Sequence, residues 1–252
     1  MKILDKNTLF FFSVSNNTSI RGSNFYNKLF FKKKKNFVYI PLLIKNHISF
    51  KKFLNFLKTG IIKVGGISVS MPLKSYAEQI SNQKHRSVVL SKNANTLIFK
   101  KKKIYSYNCD FLAAEKIFKN KKFNNFIIIG AGSLALSFIN LIKDKKIFIF
   151  NRTIKNIKKL TKKYSNVFEL NSKNSKEIKN SCIINVSPEH NHKKFLKLVD
   201  FNEIKYICDC VIEKKSKLNK ISKKYSIKYT NGNYFYECQR NFQKKIYLNG
   251  KL

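Results

Sequence analysis

Negative charge is scarce in this chain: 13 Asp and Glu stand against 52 Lys and Arg in 252 residues, a formal net charge of +39. Proline (3) and glycine (8) are few, and no repeat or low-complexity linker is evident. No apolar run reaches the ~18 residues of a membrane span, which excludes a helical membrane protein. The cysteines, Cys109, Cys182, Cys208, Cys210 and Cys238, are odd in number and lack paired metal-ligand spacing. That argues against a disulfide framework or a zinc site, so reduced thiols and no metal are expected. TLFFFSVS follows Asp5 without a small-residue cleavage site and reads as a first strand, from which a cytoplasmic location is expected.

What is present supports a globular fold. Hydrophobic residues make up 43% of the chain, with 23 Phe and 12 Tyr, and the length calls for two domains or one large α/β domain. A basic excess ordinarily points to nucleic acid or an anionic surface. Here Lys, Asn, Ile and Phe are enriched together, the signature of A- and T-rich codons, and the lysines are spread along the whole chain. The runs FKKKKN and FKKKKI read as helix-end or hairpin turns. No specific nucleic-acid partner is expected, only weak nonspecific binding at low salt.

Strand-like runs alternate with amphipathic segments in βαβ rhythm: TLFFFSVS then FYNKLF, FVYIPLLI then ISFKKFLNFL, GISVSM then LKSYAEQI. SVVLS with the pair NTLIF and IYSYN reads as a small antiparallel element. A second series opens at FNNFIIIGAGSLALSFINLI and continues through KIFIF, CIINVS and KYICDCVI. In YICDCVI, Cys208 and Cys210 share one strand face, a core role. YFYECQRNFQKKIYL reads as a final helix with Phe235, Cys238, Phe242 and Ile246 at helical spacing. The expected domains are 1–107, completed by 232–252, and 108–231.

FIIIGAGSLALSFI is the most specific local signal. Gly130, Ala131, Gly132, Ser133, Leu134 and Ala135 fit GxGxxA between a buried strand and a helix. The glycines let the backbone turn tightly and approach a pyrophosphate, which the helix N-terminus attracts. A lone GxG is also a simple strand-to-helix turn, but the following strand KIFIF favours a dinucleotide. After KIFIF come Asn151, Arg152 and Thr153 instead of the acidic residue usual for NAD, which selects NADP. The competing reading of Arg152 is one more cation in a basic protein.

In GGISVSMPLK, Ile67, Val69 and Met71 alternate with Ser68 and Ser70 as in a strand, and Pro72 ends it. Lys74 then falls near a helix N-terminus, the wrong end for a cation, which makes it a candidate proton carrier. The plain alternative is a solvated lysine.

Taken in order, these motifs resemble the shikimate dehydrogenase family. GISVSMPLK matches the family's GxNVTxPxK with Ser70 and Lys74, NANT matches GAVNT with Asn95, and NCD matches NTD with Asp110. GAGSLA and NRTIKN follow, then a strand ending in Asp209, then GNYFYECQ with Gly232 and Gln239 in the place of GxxMLxxQ. The resemblance implies an α/β fold of two α/β domains: an N-terminal substrate domain and a Rossmann-type NADP-binding domain, with the C-terminal helix returning to the first. It implies NADP-dependent reduction of 3-dehydroshikimate to shikimate in aromatic amino-acid biosynthesis. Lys74 and Asp110 would be catalytic, Ser19, Ser70, Asn95, Asp110 and Gln239 would bind substrate, and Gly232 would join the cofactor turn. Alone, Asn95 is equally a turn former, Asp110 an N-cap and Gln239 a solvated residue. There are departures. Where the family has HSxSP, alignment on Tyr26 and Asn27 gives SIRGS, with Ile20 and Gly22 at the serine positions and Ser19, Arg21 or Ser23 as substitutes. Ile212 replaces a tyrosine. The competing functions are a dehydrogenase of quinate or another hydroxy acid, and a basic nucleic-acid-binding protein on a decayed dehydrogenase scaffold.

Overall fold

The computed structural model describes residues 4–17, 20–187, 193–212 and 216–252. The chain divides into two compact units, residues 1–109 with 240–252, and residues 110–239.

The first unit contains β1 (Leu9–Ser15), α1 (Ile20–Lys32), β2 (Phe37–Leu43), α2 (His47–Lys58), β3 (Val64–Val69), α3 (Lys74–Gln79), β4 (Gln83–Lys84), α4 (Arg86–Ser91), β5 (Thr96–Lys100) and β6 (Lys103–Tyr107). Its sheet has the order β2-β1-β3-β5-β6-β4. β1 runs parallel to β2 and β3, while β5 is antiparallel to both β3 and β6. Alternation along the strands divides the core: Phe12, Val14, Ile67 and Val69 face α2, whereas Phe11, Tyr39 and Ile98 face Tyr26 and Phe30 of α1.

SVVLS does not join the antiparallel element. It lies in α4, started by His85, whose Nδ1 accepts from the Ser87 N–H. Val88 is buried while Val89 and Leu90 are exposed, a helical period that the β-branched pair concealed.

The second unit begins within α5 (Cys109–Phe118) and continues through β7 (Asn125–Ile129), α6 (Ser133–Leu141), β8 (Lys146–Phe150), α7 (Ile154–Lys163), β9 (Val167–Glu169), β10 (Ser181–Asn185), α8 (Lys193–Leu196), β11 (Ile204–Asp209), α9 (Lys217–Lys224) and β12 (Lys228–Thr230). The order β12-β11-β10-β7-β8-β9, parallel throughout, is the doubly wound dinucleotide-binding arrangement. Phe126, Ile128 and Cys208 pack under α5, α6 and α7; Ile127, Ile129 and Ile207 pack on the other face with Phe195 of α8 and Leu218 of α9. α10 (Gly232–Asn249) passes from this unit into the first: Phe235 and Cys238 join the second unit's core, Ile246 and Tyr247 the first's.

All five cysteines are free thiols. Cys208 and Cys210 share one face with sulfurs 3.8 Å apart, and burial pushes the Cys182 and Cys210 thiols well above their ordinary value. They remain protonated at neutral pH, which suits packing and not thiolate chemistry. Among the described residues no helix is long and apolar enough to cross a membrane, and no cluster of His, Cys, Asp and Glu has a metal-binding arrangement.

Phe11 is 2% exposed and its ring centroid lies 4.8–5.2 Å from those of Phe30, Phe37 and Tyr247. Its ring fills the space where a Cβ on Gly65 would stand. Phe11→Ala should therefore cost about 3–5 kcal/mol, read as a lowered urea midpoint at unchanged slope; a loss below about 1 kcal/mol would show that neighbouring rings refill the cavity.

Candidate active site

The turn after β7 is shaped by its glycines in two different ways. Gly130 has φ +112°, and a Cβ there would lie 3.0 Å from Val186 Cγ2 and 3.1 Å from the Ser187 nitrogen. The fold itself requires this glycine. Gly132, the N-cap of α6, is different, since a Cβ there would meet nothing within 4 Å. The space beside it is open at the end of a helix whose first N–H groups lack intrahelical acceptors. The Ser133 hydroxyl is buried without a hydrogen-bond partner. Ala131 and Leu134 are half-buried, and Ala135 packs in the core.

The strand neighbouring this turn ends in a polar corner. Asn151 Nδ2 donates to the Thr153 carbonyl at 3.1 Å, Thr153 is the N-cap of α7, and Arg152 is exposed immediately after β8. Glycine turn, unspent hydroxyl, helix N-terminus and guanidinium form a donor set suited to a phosphorylated dinucleotide.

Beyond β11 the chain is held by Asp209, 1% exposed. Its Oδ1 accepts from Asn185 Nδ2 at 3.0 Å and the Val211 N–H at 3.2 Å; its Oδ2 accepts from Ser216 Oγ at 2.6 Å and Tyr229 Oη at 3.0 Å. Burial, then the Asp209 carboxylate, pushes the Tyr229 phenol up. Gly232 opens α10 against this segment, where a Cβ would collide with the Val211 carbonyl. Ile212 is 41% exposed.

In the first unit, Lys74 is half-buried and opens α3 two residues after Pro72. Its carbonyl accepts from the Ala94 N–H at 3.0 Å, which fastens the start of α3 to the segment carrying Asn95. Asn95 also takes part in backbone bonds on both sides: Val69 donates to its carbonyl at 2.9 Å, and its N–H donates to the Tyr107 carbonyl at 3.1 Å. Its side chain is 2% exposed. Oδ1 accepts from the Cys109 N–H at 2.9 Å and from Thr96 Oγ1 at 3.0 Å, leaving Nδ2 buried with no partner. The amide orientation is set by chemistry, because a backbone N–H can only donate. Asp110 follows Cys109 in the first turn of α5 and is 7% exposed.

Ser70 is exposed beyond β3, its N–H donating to the Val14 carbonyl at 3.0 Å, and Gln239 is half-buried in α10. Ile20 and Gly22, aligned with the family's serines, lie in the first turn of α1, which Ile20 begins, and the Ser23 hydroxyl is spent on the Ile20 carbonyl at 3.0 Å. Ser19 lies outside the described residues.

Sequence reading gave no functional role to Thr96, Gln243 and Tyr26, whose buried side chains bond in series toward Asn95. Their only sequence signals were the Thr of NANT and a second glutamine one turn after Gln239.

Residues 112–201 match the family model of shikimate / quinate 5-dehydrogenase. The chain is 28% identical over 221 residues to a shikimate dehydrogenase (NADP(+)) of Methanococcus vannielii, covering 79% of this chain and 76% of that one. It is 33% identical over 95 residues to a shikimate biosynthesis protein of Chlamydia pneumoniae, 35% of this chain but only 20% of that larger protein. As a fold it superimposes on the shikimate dehydrogenase of Aquifex aeolicus with a TM-score of 0.78 at 23% identity, covering 98% of this chain and 95% of that one.

The two glycines predict a contrast in stability. Gly130→Ala should lower the unfolding free energy by about 1–3 kcal/mol through a strained backbone, whereas Gly132→Ala should stay within about 0.5 kcal/mol of the parent. Urea titrations of both variants check this, and equal losses would contradict it. The match to the shikimate / quinate 5-dehydrogenase model covers residues 112–201, and the similarity of fold to the Aquifex aeolicus enzyme extends along nearly the whole chain.

Proposed function

We propose that the protein is an NADP-linked dehydrogenase that reversibly reduces 3-dehydroshikimate to shikimate, a step toward chorismate and the aromatic amino acids. The observation that carries this reading is Asn95: a buried amide whose oxygen is occupied by two donors and whose nitrogen is unspent suits a polyhydroxylated ligand offering an acceptor. The choice of NADP rests on Arg152 after β8 and on the NADP(+) named for the Methanococcus relative.

When bound, NADPH supplies the hydride. The chain's residues do the rest. Lys74 gives a proton to the carbonyl oxygen on reduction and takes it back in the reverse direction. Asp110 accepts a substrate hydroxyl, Asn95 Nδ2 donates to one, and Ser70, Gln239 and Ser19 complete the substrate contacts. Gly130 to Leu134 and Gly232 hold the dinucleotide, with Asn151, Arg152 and Thr153 at its 2′-phosphate. A second reading, a quinate-type hydroxy acid as substrate, is favoured by Ile212, an exposed aliphatic group where the resembled motif has a phenol.

Purified protein with NADPH and either 3-dehydroshikimate or 3-dehydroquinate, followed by loss of nicotinamide absorbance, tests both. Faster turnover of 3-dehydroshikimate is expected, and no turnover of it would overturn the assignment. Lys74→Ala should lower kcat by about 100-fold or more while NADPH binding survives; near-normal turnover would remove Lys74 from the chemistry. Arg152→Ala should raise the Michaelis constant for NADPH and leave that for NADH nearly unchanged, and equal use of both cofactors by the parent would contradict the NADP assignment. NADPH binding should also persist at salt concentrations that abolish nonspecific RNA binding, which separates a shaped pocket from phosphate tracking.

A further inference from the structure

Within the first unit, hydrogen bonds run in one direction and end on Asn95. Tyr26 Oη donates to Gln243 Oε1 at 2.7 Å, Gln243 Nε2 donates to Thr96 Oγ1 at 2.8 Å, and Thr96 Oγ1 donates to Asn95 Oδ1 at 3.0 Å. The direction follows from the far end. The Cys109 N–H can only donate, so Asn95 presents its oxygen there. An amide oxygen can only accept, so Thr96 gives Asn95 its single proton. Thr96 Oγ1 is left to accept, Gln243 must therefore offer nitrogen, and its oxygen faces the Tyr26 phenol. Tyr26, Thr96, Asn95 and Gln243 are 3%, 0%, 2% and 8% exposed, so water does not compete for these bonds.

We propose that Gln243 is a positioning residue of the substrate site, acting through Thr96 to hold the Asn95 amide with Nδ2 turned toward the substrate. Tyr26 orients Gln243 in turn. The arrangement works because two donors share Asn95 Oδ1: rotation of the amide would set its NH2 group against two N–H or O–H donors. Without Gln243, the Thr96 hydroxyl is free to turn away, one of the two donors goes, and the amide gains rotational freedom. This inference rests on the proposed function, in which Asn95 contacts a hydroxyl of the substrate.

The test uses Gln243→Leu, Thr96→Val and the milder Tyr26→Phe, each also in an Asn95→Ala background. In the parent background, Gln243→Leu and Thr96→Val should raise the Michaelis constant for 3-dehydroshikimate about tenfold, with a smaller change in kcat and an unchanged NADPH dissociation constant. In the Asn95→Ala background neither should raise it further, because the side chain through which they act is gone. Full additivity, or no effect in the parent background, would overturn the proposal. Nitrogen-15 spectra of the Asn95 side-chain amide provide a readout independent of turnover: its resonances should shift in Gln243→Leu and Thr96→Val, and by less in Tyr26→Phe. If the parent binds NADPH but reduces no substrate, the proposed function fails and the spectra still decide the inference, an unmoved Asn95 resonance overturning it. If both core variants fail to fold, Tyr26→Phe decides by the same spectra.

Discussion

A buried amide nitrogen without a partner costs a fold about 1–3 kcal/mol, and Asn95 Nδ2 is such an atom. Much of the first unit converges on holding it. The Asn95 backbone bonds to Val69 at the end of β3 and to Tyr107 at the end of β6, and its side chain receives the first N–H of α5. Through Ala94 the same segment holds the carbonyl of Lys74. The position of α3, the hairpin of β5 and β6 and the return of α10 thus bear on one short stretch, Ala94 to Thr96. Under the proposed function the substrate supplies the acceptor that this donor lacks.

The second unit meets the same demand with backbone instead of side chains. Gly130 is required by the fold's own packing, whereas Gly132 borders open space. Asp209 shows what a fully satisfied buried group looks like by contrast, with four donors sharing its two oxygens. It fastens the segment after β11 to β10, α9 and β12, and this segment is the one against which Gly232 starts α10.

Legibility in the sequence followed the range of the interaction. The strand, glycine turn and helix of FIIIGAGSLALSFI were readable because each is decided by neighbours in sequence, and the alternation of Phe11 and Phe12 or of Ile127 and Ile128 onto opposite faces follows from strand periodicity. SVVLS was misread because its composition suits a strand, while its conformation is set by the cap at His85. The bonds of Gln243 were not readable, since Thr96 and Tyr26 lie 147 and 217 residues away along the chain. No local pattern indicates which of two glutamines on one helix turns inward.

The lysine runs have a conformational side as well as an electrostatic one. Among the described residues six non-glycine positions have positive φ, and four are lysines: Lys34, Lys92, Lys101 and Lys102. Lys34 lies in the turn just after α1, Lys92 caps α4, and Lys101 with Lys102 forms the two-residue turn between β5 and β6, places where glycine or asparagine is the usual occupant. An L-residue in that region costs roughly 1–2 kcal/mol. The lysine excess of the composition is therefore written into the backbone as well as the surface. It appears as elastic strain at chain reversals, which the aromatic interiors of the two units must outweigh for the fold to persist.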